Sequence, residues 1–182
     1  QPVSVREAMR NGVPLDHLAS VIWISETDAN IIGADQTKGL LRFEGVASGK
    51  DPAVIKAIEQ EVVAKGKSAG PAEKVGSTYY NIGVASMALF AEGARRALDT
   101  EGEPLTPAKL KHGLESIKDF TADGLLPPVT ITSEDHQGGG RGRIAAWDGS
   151  KWTAKSDWSA AYQDIVWTLV HKSAEEFKAS GK

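Results

Sequence analysis

Val21-Ile22-Trp23-Ile24-Ser25-Glu26-Thr27-Asp28 is the stretch whose reading decides the fold. Its first four residues are β-branched or aromatic, too few for a helix and without the alternation of a half-exposed strand. They therefore predict a strand buried on both faces, as in a parallel sheet. The polar residues that follow fall where an open α/β sheet places its ligands, just beyond the carboxyl end of a strand. Ser25, Glu26 and Asp28 are thus candidate ligand residues. Equally, Ser25 and Asp28 have the spacing of a helix-capping box, and the two readings weigh the same.

Working outward, residues 31–38 read as a weak helical segment, and residues 40–47 as a second strand carrying Leu41, Phe43 and Val46. Asp51-Pro52 offers an N-cap acceptor and a first-turn proline to a helix at about 52–65, whose Ile55, Ile58 and Val62 repeat at three and four. Upstream, Ser4 and Glu7 have capping-box spacing, with Val5, Ala8 and Met9 as the apolar stripe of a helix at about 4–11 that Gly12 stops. Strand and helix alternate, which predicts an α/β fold around a twisted, mostly parallel sheet.

Beyond a Gly-, Lys- and Ser-rich loop at 67–77, residues 82–98 form an alanine-rich helix whose small surface suits close packing on more than one side. Thr106-Pro107 caps another helix, striped by Leu110, Leu114 and Ile117. Pro127-Pro128 leads into a short strand at 129–131. In Trp147-Asp148-Gly149-Ser150-Lys151-Trp152 a tight turn joins two strands, with Trp147 and Trp152 as cross-strand neighbours. Tyr162, Ile165, Val166, Leu169, Val170 and Phe177 share one face of a long last helix.

Composition excludes several classes. The chain of 182 residues is 41% hydrophobic and 25% charged, as globular domains are. Its net charge of -3 leaves no electrostatic footprint for nucleic acid. With no cysteine there is no disulfide, no thiolate-held zinc or iron-sulfur centre and no thiol nucleophile. No apolar run approaches the roughly 18 residues of a membrane span, and no secretory signal pattern lies near Gln1. A chain that opens on Gln and enters a helix at once reads as part of something longer.

Chemistry-bearing patterns are sparse. His17, His112, His136 and His171 lack the helical pair spacing of a metal site. Glu134-Asp135-His136 has acid and base types but no nucleophile in a recognisable elbow, so loop-stabilising hydrogen bonds are the favoured reading. Residues 33–39 lack the Gly-Lys-Ser/Thr ending of a phosphate loop, and the glycines and arginines of 138–143 suit a solvated loop. Tyr79-Tyr80-Asn81 precedes a helix that Asn can cap, and its rings suit a ligand and half-buried packing equally. Nothing calls for a cofactor.

In order and spacing these segments resemble the second half of a type I periplasmic solute-binding protein of the branched-chain amino acid (Leu/Ile/Val-binding) family that serves ABC importers. The likeness rests on Ile24-Ser25-Glu26-Thr27-Asp28, Lys38-Gly39-Leu40, Tyr79-Tyr80-Asn81-Ile82-Gly83, Leu114-Glu115-Ser116-Ile117 and Pro127-Pro128-Val129-Thr130-Ile131. Asp135-His136-Gln137-Gly138, the Trp147 hairpin and Ser156-Asp157-Trp158 complete it.

The resemblance implies two α/β lobes with a ligand between them, present here as a C-terminal fragment. Residues 1–78 and 144–182 would belong to the C-terminal lobe and 79–143 to the N-terminal lobe. It implies capture of a small amino acid or an aliphatic or aromatic carboxylate in the periplasm, an ABC permease and the missing N-terminal half as partners, and no bond-making chemistry. Ser25, Glu26, Asp28, Tyr79, Tyr80 and Asn81 are the implied ligand residues, with Glu26 taking the ammonium. A sensor of the same fold and a hydrolase using Asp135 and His136 are the alternatives.

Overall fold

The computed structural model describes residues 1–181. Their helices and strands run α1 (Pro2–Arg10), β1 (Ala19–Val21), α2 (Glu26–Ile32), β2 (Leu41–Glu44), α3 (Ala53–Ile58), α4 (Thr78–Glu101), α5 (Pro107–Glu115), β3 (Arg143–Trp147), β4 (Trp152–Ala154) and α6 (Gln163–Ala179). The fold is α/β, as expected. The strands form one sheet in the order β1-β2-β3-β4. Only β1 and β2 are parallel, with Ala19 opposite Leu41. The β2–β3 and β3–β4 pairs are antiparallel, so the sheet is mixed rather than mostly parallel. The tight hairpin accounts for the β3–β4 pair, because a short turn can join two strands only antiparallel.

The hairpin matches its sequence reading, with Trp147 opposite Trp152 and ring centroids 5.4 Å apart. Asp148 holds the turn: its Oδ1 accepts from Ser150 N at 2.8 Å and Lys151 N at 2.9 Å. The backbone N–H groups of Lys151 and then Ser150 hold the Asp148 carboxyl well below the usual carboxylate range.

Several boundaries move. The strand predicted at 21–24 lies at Ala19–Val21, and Ile22, Trp23 and Ile24 form a turn closed by the Ile24 N–H donating to Val21 O. Ile24 is buried there not as a strand residue but beneath α2, packed with Val5, Ala29, Ile32, Leu40 and Trp147. As an edge strand, β1 leaves Val21 exposed. The helix expected at 31–38 begins earlier, at Glu26, because Ser25 and Asp28 do form the capping box. Its end comes at Gly33, whose φ of 131° few side chains tolerate.

Helix α1 starts at Pro2 with Gln1 as N-cap, so Ser4 lies inside the first turn and caps nothing. Likewise α3 begins at Ala53 after a Pro52 N-cap, without a side-chain cap from Asp51, and continues as a π-turn over Glu59–Val63. The strand expected at 129–131 is reduced to a single bridge between Phe120 and Val129. Thr106 does cap α5, its Oγ1 accepting from Lys109 N at 3.3 Å. The last helix forms, but Ile165, Leu169, Val170 and Phe177 stand exposed along it. None of the helices among the described residues is long and apolar enough to cross a membrane.

A second apolar cluster joins Ala47, Ile55 and Val75 to Ala85, Ala122, Leu125 and Leu126. Nearby, α4 and α5 cross in close contact at two glycines. A Cβ on Gly113 would collide with the carbonyl oxygen of Gly93 and lie 2.9 Å from the Ala97 Cβ. Gly113→Ala is therefore expected to destabilise the protein by about 1–3 kcal/mol through forced helix separation, read from the urea midpoint. A neutral outcome would mean that the two helices can move apart freely.

Candidate functional site

The segments after β1 and β2 meet the loop before α4 at the carboxyl ends of the two parallel strands, where sheet topology places ligands. They enclose a cleft of about 950 Å³ lined by Glu26, Asn30, Ser48, Gly76, Arg143 and Trp152 among others. Glu26 is the first residue of α2, held in place by the Ser25–Asp28 box. Its own carboxylate does not cap α2. Instead, Glu26 Oε2 accepts from Thr78 N at 3.1 Å and Oε1 accepts from Thr78 Oγ1 at 2.8 Å, so it sits on the N-terminus of α4. A carboxylate is favoured at that end of a helix by the unpaired N–H groups and the dipole.

Behind Glu26 lies a buried polar network that the sequence reading missed. Strand β2 inverts the expected pattern: Arg42 and Glu44 are 0% and 1% exposed, whereas Phe43 is 46% exposed. Arg42 Nη1 donates to Thr78 Oγ1 at 2.9 Å and to Ile24 O at 2.8 Å, and Nη2 donates to Glu44 Oε2 at 2.8 Å and also to Ser48 Oγ. Ser48 Oγ in turn donates to Glu44 Oε2 at 2.7 Å. On its other side Glu44 Oε1 receives Arg143 Nε at 2.9 Å.

Burial pushes the Arg42 guanidinium down from its ordinary value, and the hydrogen bond and charge of Glu44 oppose that shift. The indole of Trp152 covers Arg42 at 4.2 Å, and Trp158 covers Arg143 at the same distance. The sequence shows only that Arg42 and Glu44, two apart in a strand, share a face, and alternation with Leu41 and Phe43 would put that face in solvent.

The six candidate residues take different places. Among them Glu26 lines the cleft. Ser25 and Asp28 direct their polar groups to one another, with Ser25 Oγ donating to Asp28 Oδ2 at 2.8 Å. Asn81 lies within α4 rather than at its cap, and its Nδ2 donates to Ala47 O and Gly49 O at 2.9 Å each, which ties down the loop that walls the cleft. Tyr80 packs against the second apolar cluster. Tyr79 is exposed, its hydroxyl donating to Trp23 O at 2.9 Å and its ring 6.3 Å from that of Trp23.

Asp135 and His136 turn to separate partners. Asp135 Oδ1 accepts from Gln137 N at 2.8 Å, while His136 Nε2 lies 2.9 Å from Glu115 Oε1. Among the described residues no group of three or more His, Asp or Glu side chains is placed to hold a metal ion.

Residues 2–152 match the family model described as "Periplasmic binding protein". Among solved structures, a protein from the Pseudomonas fluorescens group described as an ABC transporter permease is 33% identical over 99% of this chain and 46% of that one, with a TM-score of 0.90. A branched-chain amino acid ABC transporter from Thermus thermophilus with bound valine shares the fold at 16% identity and a TM-score of 0.70, over 88% of this chain and 43% of that one. The substrate-binding protein LivJ from Streptococcus pneumoniae, in complex with isoleucine, does so at 15% identity and a TM-score of 0.56, over 87% and 41%. No curated protein matches the chain. The chain spans less than half the length of each of these solved structures. By the match over residues 2–152 and the likeness over 99% of its length, the chain belongs to the periplasmic binding protein family.

Proposed function

We propose that the chain supplies one wall of the ligand cleft in the periplasmic substrate-binding component of an ABC importer. The missing N-terminal half of the fold would supply the other wall, and a membrane permease would receive the ligand. Residues 1–78 and 144–182 then form the C-terminal lobe and 79–143 complete the N-terminal one, except that Arg143 opens β3 opposite Glu44 of β2 and so stands with the sheet of the C-terminal lobe. The ligand is a small amino acid or a related carboxylate, taken up and released without bond making. One observation carries this reading: Glu26 is a carboxylate fixed through both oxygens at the wall of the cleft, beyond the end of a parallel strand. Such a group is built to receive an ammonium, since an unpaired charge in a closing cleft is costly.

Calorimetry on the complete protein with the twenty amino acids and with benzoate tests the reading. Glu26→Gln is expected to weaken binding of the best amino acid at least tenfold, roughly 1.4 kcal/mol. Because Glu26 also sits on the start of α4, stability should fall as well, by about 1 kcal/mol or less. Unchanged affinity beside lowered stability would leave Glu26 a helix anchor only and remove the ammonium role.

A further inference from the structure

We propose that Arg143 is the anion-binding residue of the cleft, so that the ligand carries a carboxylate held at this wall as well as an ammonium. The inference rests on the cleft-binding reading above and deepens it. Arg143 lines the cleft, with its side chain 19% exposed. Its guanidinium is fixed on two sides. Nε and Nη2 converge on Glu44 Oε1 at 2.9 and 2.8 Å, and Trp158 stacks on one face at 4.2 Å. Among the described residues Nη1 has no hydrogen-bond partner, whereas Nε donates to Glu44 and Nη2 stands in ion-pair contact with the same oxygen. A guanidinium clamped in this way loses little freedom when it binds a planar anion, which is the task arginine performs better than lysine.

Charge balance agrees. Glu44 is shared between two guanidiniums, Arg42 at 2.8 Å and Arg143 at 2.8 Å, so the three together carry a surplus positive charge. Arg42 is sealed in the interior, where Thr78 links it to Glu26. Arg143 is the member of the trio that reaches the cleft. The network therefore presents its two signs at two places on the same wall, negative at Glu26 and positive at Arg143. A zwitterion spanning them neutralises both ends, whereas a ligand with one charge leaves the other end unmatched.

The test compares the complete protein with its Arg143→Leu and Arg143→Lys variants, by calorimetry. The probes are whichever of the twenty amino acids binds best, the amine left when its carboxylate is removed, the acid left when its ammonium is removed, and benzoate. Arg143→Leu should weaken the amino acid and the carboxylic acids at least 30-fold and leave the amine unchanged, and Arg143→Lys should fall between. Equal losses for all probes, or none, would overturn the inference.

If Arg143→Leu fails to fold, Arg143→Lys decides alone: about a tenfold loss restricted to carboxylate-bearing probes supports the inference, and a loss shared by the amine overturns it. Glu26→Gln measured in parallel separates the two readings. Insensitivity to Glu26→Gln together with carboxylate-selective sensitivity at Arg143 would sink the ammonium role and keep the anion site. No binding of any amino acid or carboxylate would overturn both.

Discussion

Glu44→Ala is expected to destabilise the complete protein by about 3–5 kcal/mol, the usual cost of breaking a buried ion pair from one side. Glu44 is 1% exposed and is the carboxylate shared by Arg42 and Arg143, with Ser48 donating to it as well. Its loss strands two like charges, one of them fully buried. The interior cannot screen them, and neither guanidinium gives up its proton readily.

Companion variants separate charge from shape. Glu44→Gln keeps an acceptor and the side-chain volume but loses the charge, so its cost should remain large. Replacing the trio together, as Arg42→Met, Glu44→Leu and Arg143→Met, removes the stranded charges and should recover most of the stability while destroying the proposed anion site. Urea unfolding midpoints at constant slope give the readout. A loss below about 1 kcal/mol for Glu44→Ala would show that water or a rearranged partner reaches the arginines.

Trp147→Ala should cost about as much, roughly 3–5 kcal/mol, for a different reason. Trp147 is 1% exposed and joins the sheet to α1 and α2 within the first apolar cluster, touching the group formed by Val5, Ile24, Ile32 and Leu40. Its truncation leaves a cavity bounded by backbone hydrogen bonds, Gly39 N to Trp147 O at 2.8 Å and Trp147 N to Leu40 O at 3.0 Å, which resist collapse. Trp147→Phe should lose less, about 1–2 kcal/mol, because most of the packing survives while Ala34 O loses the indole N–H that donates to it at 3.1 Å. Equal losses for Ala and Phe would make that hydrogen bond, rather than the ring's volume, the main contribution.

Local signals were read correctly where the answer depends on residues close in sequence. The Trp147–Trp152 hairpin and the Thr106 cap each need only a turn or a hydroxyl within a few positions, and the Ser25–Asp28 box, one of two readings given equal weight, needs only a hydroxyl and a carboxylate three apart. The same short range misled at Ser4 and Asp51, acceptable capping residues that a nearby proline displaces: Pro2 opens α1 two residues ahead of Ser4, and Pro52 itself takes the N-cap of α3. The apolar run at 21–24 misled differently. Apolar residues crowd wherever there is a core to fill, and here Ile24 fills it from a turn beneath α2 instead of from the sheet. Of the cleft lining, Glu26 was named because it follows β1 closely enough to survive the three-residue error in the strand's end, and Arg143 was not, because its partner Glu44 lies 99 residues away.

Kinship with the periplasmic binding proteins is carried by the order of the quoted motifs, as a resemblance. The order of apolar, turn and capping residues by itself was enough to determine an α/β chain, its hairpin and most of its helices. These are consequences of backbone propensity and of patterns that repeat within a dozen residues. Only the tertiary structure decided that the sheet is mixed, that β2 turns its charges inward and that Glu26 rests on the start of α4. Each of those depends on which groups share a desolvated interior. A buried arginine becomes tolerable only when a carboxylate, a carbonyl oxygen and a hydroxyl from distant segments arrive together, and no local pattern records that meeting.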